Sequence, residues 1–280
     1  MQPTAHKTMK IVILRGGPLA PSESELGRSS GTDRGVTALG SGGRWVLVNV
    51  SAAVAHQLSR DATLDCHAGL LQADPQADVR AVVLTDAQIG HVGGLIGLRG
   101  GAQIDLYATP AVFEDLTTTL PVLPMLRHYC GVHWHVVPVA GDRRVAQFHV
   151  EGLPQLEFTA LATRAAPPPH SSHHDNPVVG DSIALAVRDL VTGQRVFCAP
   201  LGAHIGALEF DWMRQADCLL VDPLTPMSPE LQAAGPGWVQ LLRRLPARHK
   251  VLMSEGPHGP RQALAAHGIE VAFDRMAIEL

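Results

Sequence analysis

Residues 81–99 read AVVLTDAQIGHVGGLIGLR. The run AVVLT shows no polar alternation, which is the pattern of a strand covered on both faces. It empties into Asp86-Ala87-Gln88-Ile89-Gly90-His91, and Gly93-Gly94 then opens an apolar, helix-like LIGLR. A strand that ends in a polar loop and passes through glycines into a helix gathers side chains at the open edge of a sheet, where α/β proteins collect ligands. Asp86 offers a hard oxygen, and His91 an imidazole suited to Fe, Mn, Zn or Cu. The competing reading is a polar turn that starts the next helix and binds nothing.

Working outward, strand-like segments come early at 10–14, 35–39 and 45–50, followed by a helical AAVAHQLSR. After the decisive stretch the pattern predicts a helix near 93–99 and a strand at QIDLYA. A helix follows from Pro110, where a first helical turn tolerates proline. LPVLPMLRHYCGV reads as helical at its end. A second β-rich run follows in HWHVVPV, RVAQFHV and LEFTALA, then SIALAVRD and RVFCA beyond a Pro-rich loop. The last third alternates helix and strand. The order β-rich, helices, β-rich, helices predicts two mixed sheets packed face to face with helices outside, an αββα sandwich of the α/β class. A doubly wound sheet would alternate strand and helix from the start. A single domain over 9–280 is expected, after a short tail at 1–8.

Composition narrows the function. The chain has 280 residues, 46% hydrophobic and 17% charged, a mixture that folds rather than stays disordered. Its net charge of −4 and lack of a basic block speak against nucleic acid. No apolar run is long enough for a membrane span, and MQPTAHKT lacks the apolar core of a secretory signal. Cys66, Cys130, Cys198 and Cys218 are scattered, with no C-x-x-C pair, so reduced thiols and a cytoplasmic location are expected.

The 15 histidines are the unusual number. His170, His173 and His174 lie in HSSHHD with Asp175, on a loop that could equally be a His-rich surface. Asp222 ends the apolar DCLLVD, either at a ligand-collecting strand end or as a turn residue before Pro223. KVLMSEGPHGP delivers Ser254, Glu255 and His258 into a rigid Gly-Pro turn, with Glu255 or His258 as a ligand or base, or neither. RGG at 15–17 and GSGG at 40–43 lack the Lys and spacing of a phosphate loop.

These residues carry a resemblance. TDAQIGHVGGLIGLR is similar to the H-x-H-x-D-H-x-x-G-G signature of the metallo-β-lactamase fold. It resembles more closely the D-x-Q-x-D-H version of the pyrroloquinoline quinone (PQQ) biosynthesis protein B family. Similarity extends through WVLVNVSAAVAHQL, DLTTTLPVLPML, APPPHSSHHDNPVVGDSIALAV, RVFCAP, ADCLLVD, LPARHKVLM and GIEVAFDRMAIEL. The resemblance implies an αββα sandwich with a metal at its open edge. It implies an iron-dependent oxygenase that hydroxylates a tyrosine-derived, peptide-derived PQQ precursor, or alternatively a carrier of PQQ or that precursor. Asp86, Gln88 and His91 match the first ligand motif, His173 the middle histidine with His170 and His174 as rivals, and Asp222 the flanking carboxylate. The metal set so implied is Asp86, His91, His173 and Asp222, holding Fe, or Zn or Mn, with Gln88 or Glu255 orienting oxygen or water. Self-association as a homodimer is left open.

The chain also departs from the family pattern. Gly90 stands where the motif has its second Asp, and Ser254 where a histidine is expected. RGGPLAPSESELGRSSG contains no Cys, so the family's N-terminal structural zinc is not expected here.

Overall fold

The computed structural model describes residues 8–15, 36–60, 78–199, 204–222, 237–253 and 261–280. Two seven-stranded mixed sheets form its centre. The first runs β14-β1-β2-β3-β4-β5-β6, with β1 Lys10–Arg15, β2 Val36–Ser41, β3 Arg44–Val48, β4 Asp78–Val83, β5 Ile104–Ala108, β6 Val132–Val136 and β14 Met276–Glu279. The second runs β13-β12-β11-β10-β9-β8-β7, with β7 Val145–His149, β8 Leu156–Ala162, β9 Ile183–Asp189, β10 Arg195–Ala199, β11 Cys218–Val221, β12 His249–Leu252 and β13 Glu270–Val271. Each sheet has an antiparallel half and a parallel half: β14-β1-β2-β3 and β7-β8-β9-β10 are antiparallel, and β3-β4-β5-β6 and β10-β11-β12-β13 are parallel. The loose sequence symmetry is therefore a repeat of topology.

Alternation along the strands divides the apolar residues between two faces. Ile11, Ile13, Leu39, Val46, Val48 and Val83 of the first sheet meet Phe158, Leu185, Val187, Leu220 and Val251 of the second in one buried core. The opposite face of the first sheet, including Trp45, Leu47, Val82, Leu84 and Leu106, packs on helices α1 (Ala52–Arg60), α2 (Ile89–Val92), α3 (Pro110–Thr117) and α4 (Val122–Leu126). The outer face of the second sheet packs on α5 (Ala207–Met213), α6 (Trp238–Arg244) and α7 (Arg261–Ala265) through Met213, Trp238, Leu242 and Leu264. This is the αββα sandwich the sequence predicts. No helix among the described residues is long and apolar enough to cross a membrane.

Four local differences have physical reasons. The helix expected near 93–99 is a 3₁₀ helix, Gly93–Gly100, entered from α2. Two of its four glycines, Gly94 and Gly97, serve close approach to the preceding helix and its entry: a Cβ on Gly97 would sit 2.7 Å from Ala55 Cβ. The helix in LPVLPMLRHYCGV is α4, nearer the segment's start, and the segment's end turns at Gly131 with φ of 75°. HWHVVPV closes the first sheet rather than opening the second, because it follows a helical crossover and pairs parallel with β5. The C-terminal MAIEL returns as β14 beside β1, a partnership that no local pattern reveals.

Cys130, Cys198 and Cys218 carry free thiols, and Cys66 lies outside the described residues. Burial pushes the Cys198 thiol up to about 12 and raises Cys218 well above the ordinary thiol range. Both are inert core groups.

The Gly-Gly pair has a packing role that can be tested. Gly94 donates its N–H to the Val50 carbonyl at 2.9 Å, and Val50 donates to the His91 carbonyl at 2.7 Å. A Cβ at Gly94 would collide with the Ser51 carbonyl oxygen and lie 2.6 Å from Val50 Cγ2. Gly94→Ala is expected to cost about 1–3 kcal/mol in urea unfolding. Gly100→Ala, where a Cβ meets nothing within 4 Å, is expected to leave the midpoint within about 0.5 kcal/mol of the parent.

Candidate metal site at the sheet edge

The site begins at Asn49, directly after β3. Its backbone is left-handed, with φ of 62°, a conformation that asparagine tolerates better than most residues. There the Asn49 amide clasps the residue after Leu84. Asn49 Nδ2 donates to Thr85 Oγ1 at 3.0 Å, and the Thr85 backbone N–H donates to Asn49 Oδ1 at 3.0 Å. Asn49 also donates its own N–H to the Val83 carbonyl at 2.8 Å. The clasp fixes where β4 ends and its loop begins.

On that loop Asp86 and His91 are both buried and bonded to each other. His91 Nδ1 lies 2.7 Å from Asp86 Oδ1, which also accepts the Gln88 N–H at 2.9 Å; Asp86 Oδ2 accepts from Thr85 Oγ1 at 3.0 Å. Burial alone would raise the Asp86 carboxyl, but the charge and hydrogen bond of His91, with the Gln88 and Thr85 bonds, outweigh it and leave the pKa lowered. An ionised carboxylate only accepts, so His91 Nδ1 donates in this bond.

The second sheet supplies the facing wall. Asp86 forms a backbone bridge with Ser182, and Ile183 donates its N–H to the Thr85 carbonyl at 2.8 Å. Ser182 thus ties the β4 loop to the segment that enters β9. Beside it, Asp181 Oδ1 lies 2.8 Å from His173 Nδ1, and Asp181 Oδ2 accepts the Val178 N–H at 2.6 Å. Burial raises the Asp181 pKa, against the lowering effect of those two hydrogen bonds. His173 Nε2 is 3.7 Å from Glu114 Oε2 on α3.

The histidine loop is anchored from below by α3. Buried Asp115 accepts from Ser171 Oγ at 3.0 Å and from the Ser172 N–H at 3.2 Å. Thr109, the N-cap of α3, accepts the Val112 N–H and donates its hydroxyl to the Gly180 carbonyl at 2.6 Å. Of the three rival histidines, His173 makes the carboxylate pair. His174 is exposed, with Nδ1 3.4 Å from the Pro167 carbonyl. His170 is half-buried, and its enclosed Nε2 has no hydrogen-bond partner among the described residues.

Among the other predicted site residues, Gln88 is half-buried at the start of α2, and Asp222 is buried immediately after β11. Gly90 is buried in α2. Ser254, Glu255 and His258 lie outside the described residues. The structure therefore brings Asp86 to His91 directly and His173 to the neighbouring Asp181–Ser182 segment. Among the described residues, Asp86, His91, His173 and Asp222 form no group of three whose donor atoms all lie within 4.8 Å of one another. Their chemistry nevertheless fits a transition metal. Both His91 and His173 have Nδ1 held by a buried carboxylate, the arrangement that orients metal-binding imidazoles. Sequence reading passed over Asn49, Asp115 and Asp181. Asp181 alone had a signal, a carboxylate closing the quoted loop directly before a strand.

The comparisons agree with this architecture. Residues 44–253 match the family model described as the Beta-lactamase superfamily domain. The crystal structure of zinc-bound PqqB from Methylobacterium extorquens superposes with a TM-score of 0.66 at 18% identity, covering 97% of this chain and 100% of that one. Coenzyme PQQ synthesis protein B of Klebsiella pneumoniae subsp. pneumoniae is 37% identical over 267 residues, spanning 85% of this chain and 83% of the relative. The protein of the same name from Methylobacillus flagellatus is 35% identical over 266 residues, spanning 84% of each. The chain belongs to the Coenzyme PQQ synthesis protein B family.

The Asp86–His91 pair gives a pH prediction. With a folded pKa below its ordinary value of 3.8, Asp86 contributes stability that is fully present above that value. The contribution is lost as pH falls through the folded pKa. Asp86→Asn is expected to lower stability at pH 7 by about 1.5–3 kcal/mol, the range for a charge-assisted hydrogen bond. Below pH 3.8 the gap between parent and variant should close, as read by thermal unfolding across the acid range.

Proposed function

We propose that the chain acts in PQQ biosynthesis and that its sheet-edge site works with a metal ion as a non-haem oxygenase on a tyrosine-derived precursor. The observation that carries the reading is the doubled pairing of His91 on Asp86 and His173 on Asp181, both at the meeting of the two sheets. His91 and His173 would hold the ion through Nε2, with Asp222 as the carboxylate from the second sheet. A metal ion there, iron in this reading, would supply Lewis-acid and redox chemistry.

The chain's residues prepare that chemistry. Asp86 keeps the proton of His91 on Nδ1, and Asp181 orients His173 in the same way. Asp115 and Thr109 fix the loop that carries His173, so its imidazole is presented from a rigid base. Gln88 is the candidate to orient substrate or water; Glu255 is the other, outside the described residues. The precursor is small or peptide-derived, and the protein works without nucleic acid or membrane. A cytoplasmic location and a homodimer complete the proposal.

A second reading is a carrier that holds PQQ or its precursor without turnover. Gly90 favours it, because no carboxylate is available where the family pattern has one, and so does the lack of a ready group of three donors among Asp86, His91, His173 and Asp222.

The test is anaerobic reconstitution with Fe(II), followed by air and a tyrosine-containing peptide, with hydroxylation read by mass spectrometry. The oxygenase reading expects hydroxylated product, abolished in His91→Ala. It also expects Asp181→Asn to weaken metal binding or activity about 10–100-fold, as removal of an orienting carboxylate does. Saturable PQQ binding that is unchanged by Fe(II) or by His91→Ala, with no product, would support the carrier.

A further inference from the structure

A different metal-ligating group lies at the margin of the first sheet. Asp105 is on β5, and His133 and His135 are on its neighbour β6, the edge strand. Asp105 stands opposite His133 in the parallel register, and Tyr107 opposite His135. Residues two apart on a strand share a face, so Asp105, Tyr107, His133 and His135 all project on one side of the sheet. The alternate residues Ile104, Leu106, Val132 and Trp134 pack on the helix side.

The rings are held in place. His135 stacks on Tyr107 with centroids 4.3 Å apart and planes 6° from parallel. The Tyr107 hydroxyl accepts the Glu151 N–H at 2.9 Å, which fixes the tyrosine beneath. On the other face Trp134 stacks on Phe113 at 3.7 Å and donates Nε1–H to the Ala108 carbonyl at 3.0 Å. Edge strand β6 is thereby pinned on both sides, and the two imidazoles face one carboxylate oxygen. His135 Nε2 lies 3.1 Å and His133 Nδ1 3.4 Å from the same Asp105 Oδ1, and all three donor atoms lie within 4.8 Å of one another.

Those separations suit zinc. Bonds of about 2.0–2.1 Å in tetrahedral geometry place ligand atoms about 3.3–3.4 Å apart. The donor set of two imidazoles and one carboxylate is a recognised zinc combination, with a fourth position left for water. The His135 side chain is 16% exposed and that of His133 59%, so the group has a supported inner ligand and an outer one open to an entering ion.

We propose that Asp105, His133 and His135 form a zinc site that clasps edge strand β6 to β5. This site is separate from the one proposed above. Asp105 begins the second position of β5, while Asp86 lies on the loop that follows the far, C-terminal end of the parallel neighbour β4. The sequence reading took HWH only as part of a strand. Asp105 is 28 residues before His133, and only the parallel pairing of β5 with β6 joins them.

The test is equilibrium dialysis of the full chain against Zn²⁺ after chelation, with Co²⁺ absorption as a report on ligand geometry. Four proteins are compared: parent, His91→Ala, His133→Ala and His133→Ala/His135→Ala. The expected result is one equivalent of Zn²⁺ retained by His91→Ala but lost from both His133 variants, together with a tetrahedral Co²⁺ spectrum that disappears with it. His133→Ala alters an exposed ring, so its far-ultraviolet circular dichroism should match the parent and keep the comparison interpretable. Zinc stoichiometry and Co²⁺ spectrum that are the same in parent and His133→Ala would overturn the proposal. The sheet-edge reading would be judged separately, by His91→Ala alone.

Discussion

The loop after β4 can exist only if its polar groups are satisfied where the two sheets meet, and Asn49 is the residue that makes this so. A buried amide that clasps Thr85 through both its oxygen and its nitrogen converts a strand end into a fixed ledge. An unsatisfied buried polar group costs about 1–3 kcal/mol, so the left-handed backbone at Asn49 is tolerated in exchange for several such groups being paired. From that ledge follow the Asp86–His91 bond, the Ser182 bridge to the second sheet and the Gly94 contact with Val50.

The same logic recurs in the wall opposite. His173 does not hang from a loose loop; Asp181 holds its Nδ1, and Asp115 holds the two serines directly before it. Two imidazoles are thus prepared by carboxylates from opposite halves of a topologically repeated fold. The two acids experience different surroundings. Hydrogen bonds and His91 overcome burial at Asp86, whereas burial prevails at Asp181. Asp86 is therefore the more readily ionised of the two acids.

Much of the fold was legible because strand periodicity is local. AVVLT, LEFTALA and SIALAVRD announce themselves by composition, and the β-helix-β-helix order carries the two-sheet arrangement. What stayed hidden depends on partners distant in sequence. β14 pairs with β1 across almost the whole chain, and HWHVVPV joins the first sheet only because α3 and α4 carry the chain back to β5. At the site, Asp86 and His91 were legible because five residues separate them on one loop. Asn49, Asp115 and Asp181 were not, since each acts through a hydrogen bond to a segment the local sequence does not name. The Asp105–His133–His135 group was invisible for the same reason.

The central claim is that His91 and His173, prepared by Asp86 and Asp181, take a metal ion at the meeting of the two sheets. Anomalous diffraction at the iron edge, on crystals of Fe(II)-reconstituted protein, tests it most directly. The account predicts a peak bonded to Nε2 of His91 and of His173. A fully loaded crystal with no peak at that edge of the sandwich, or with the ion bonded to neither imidazole, would contradict it.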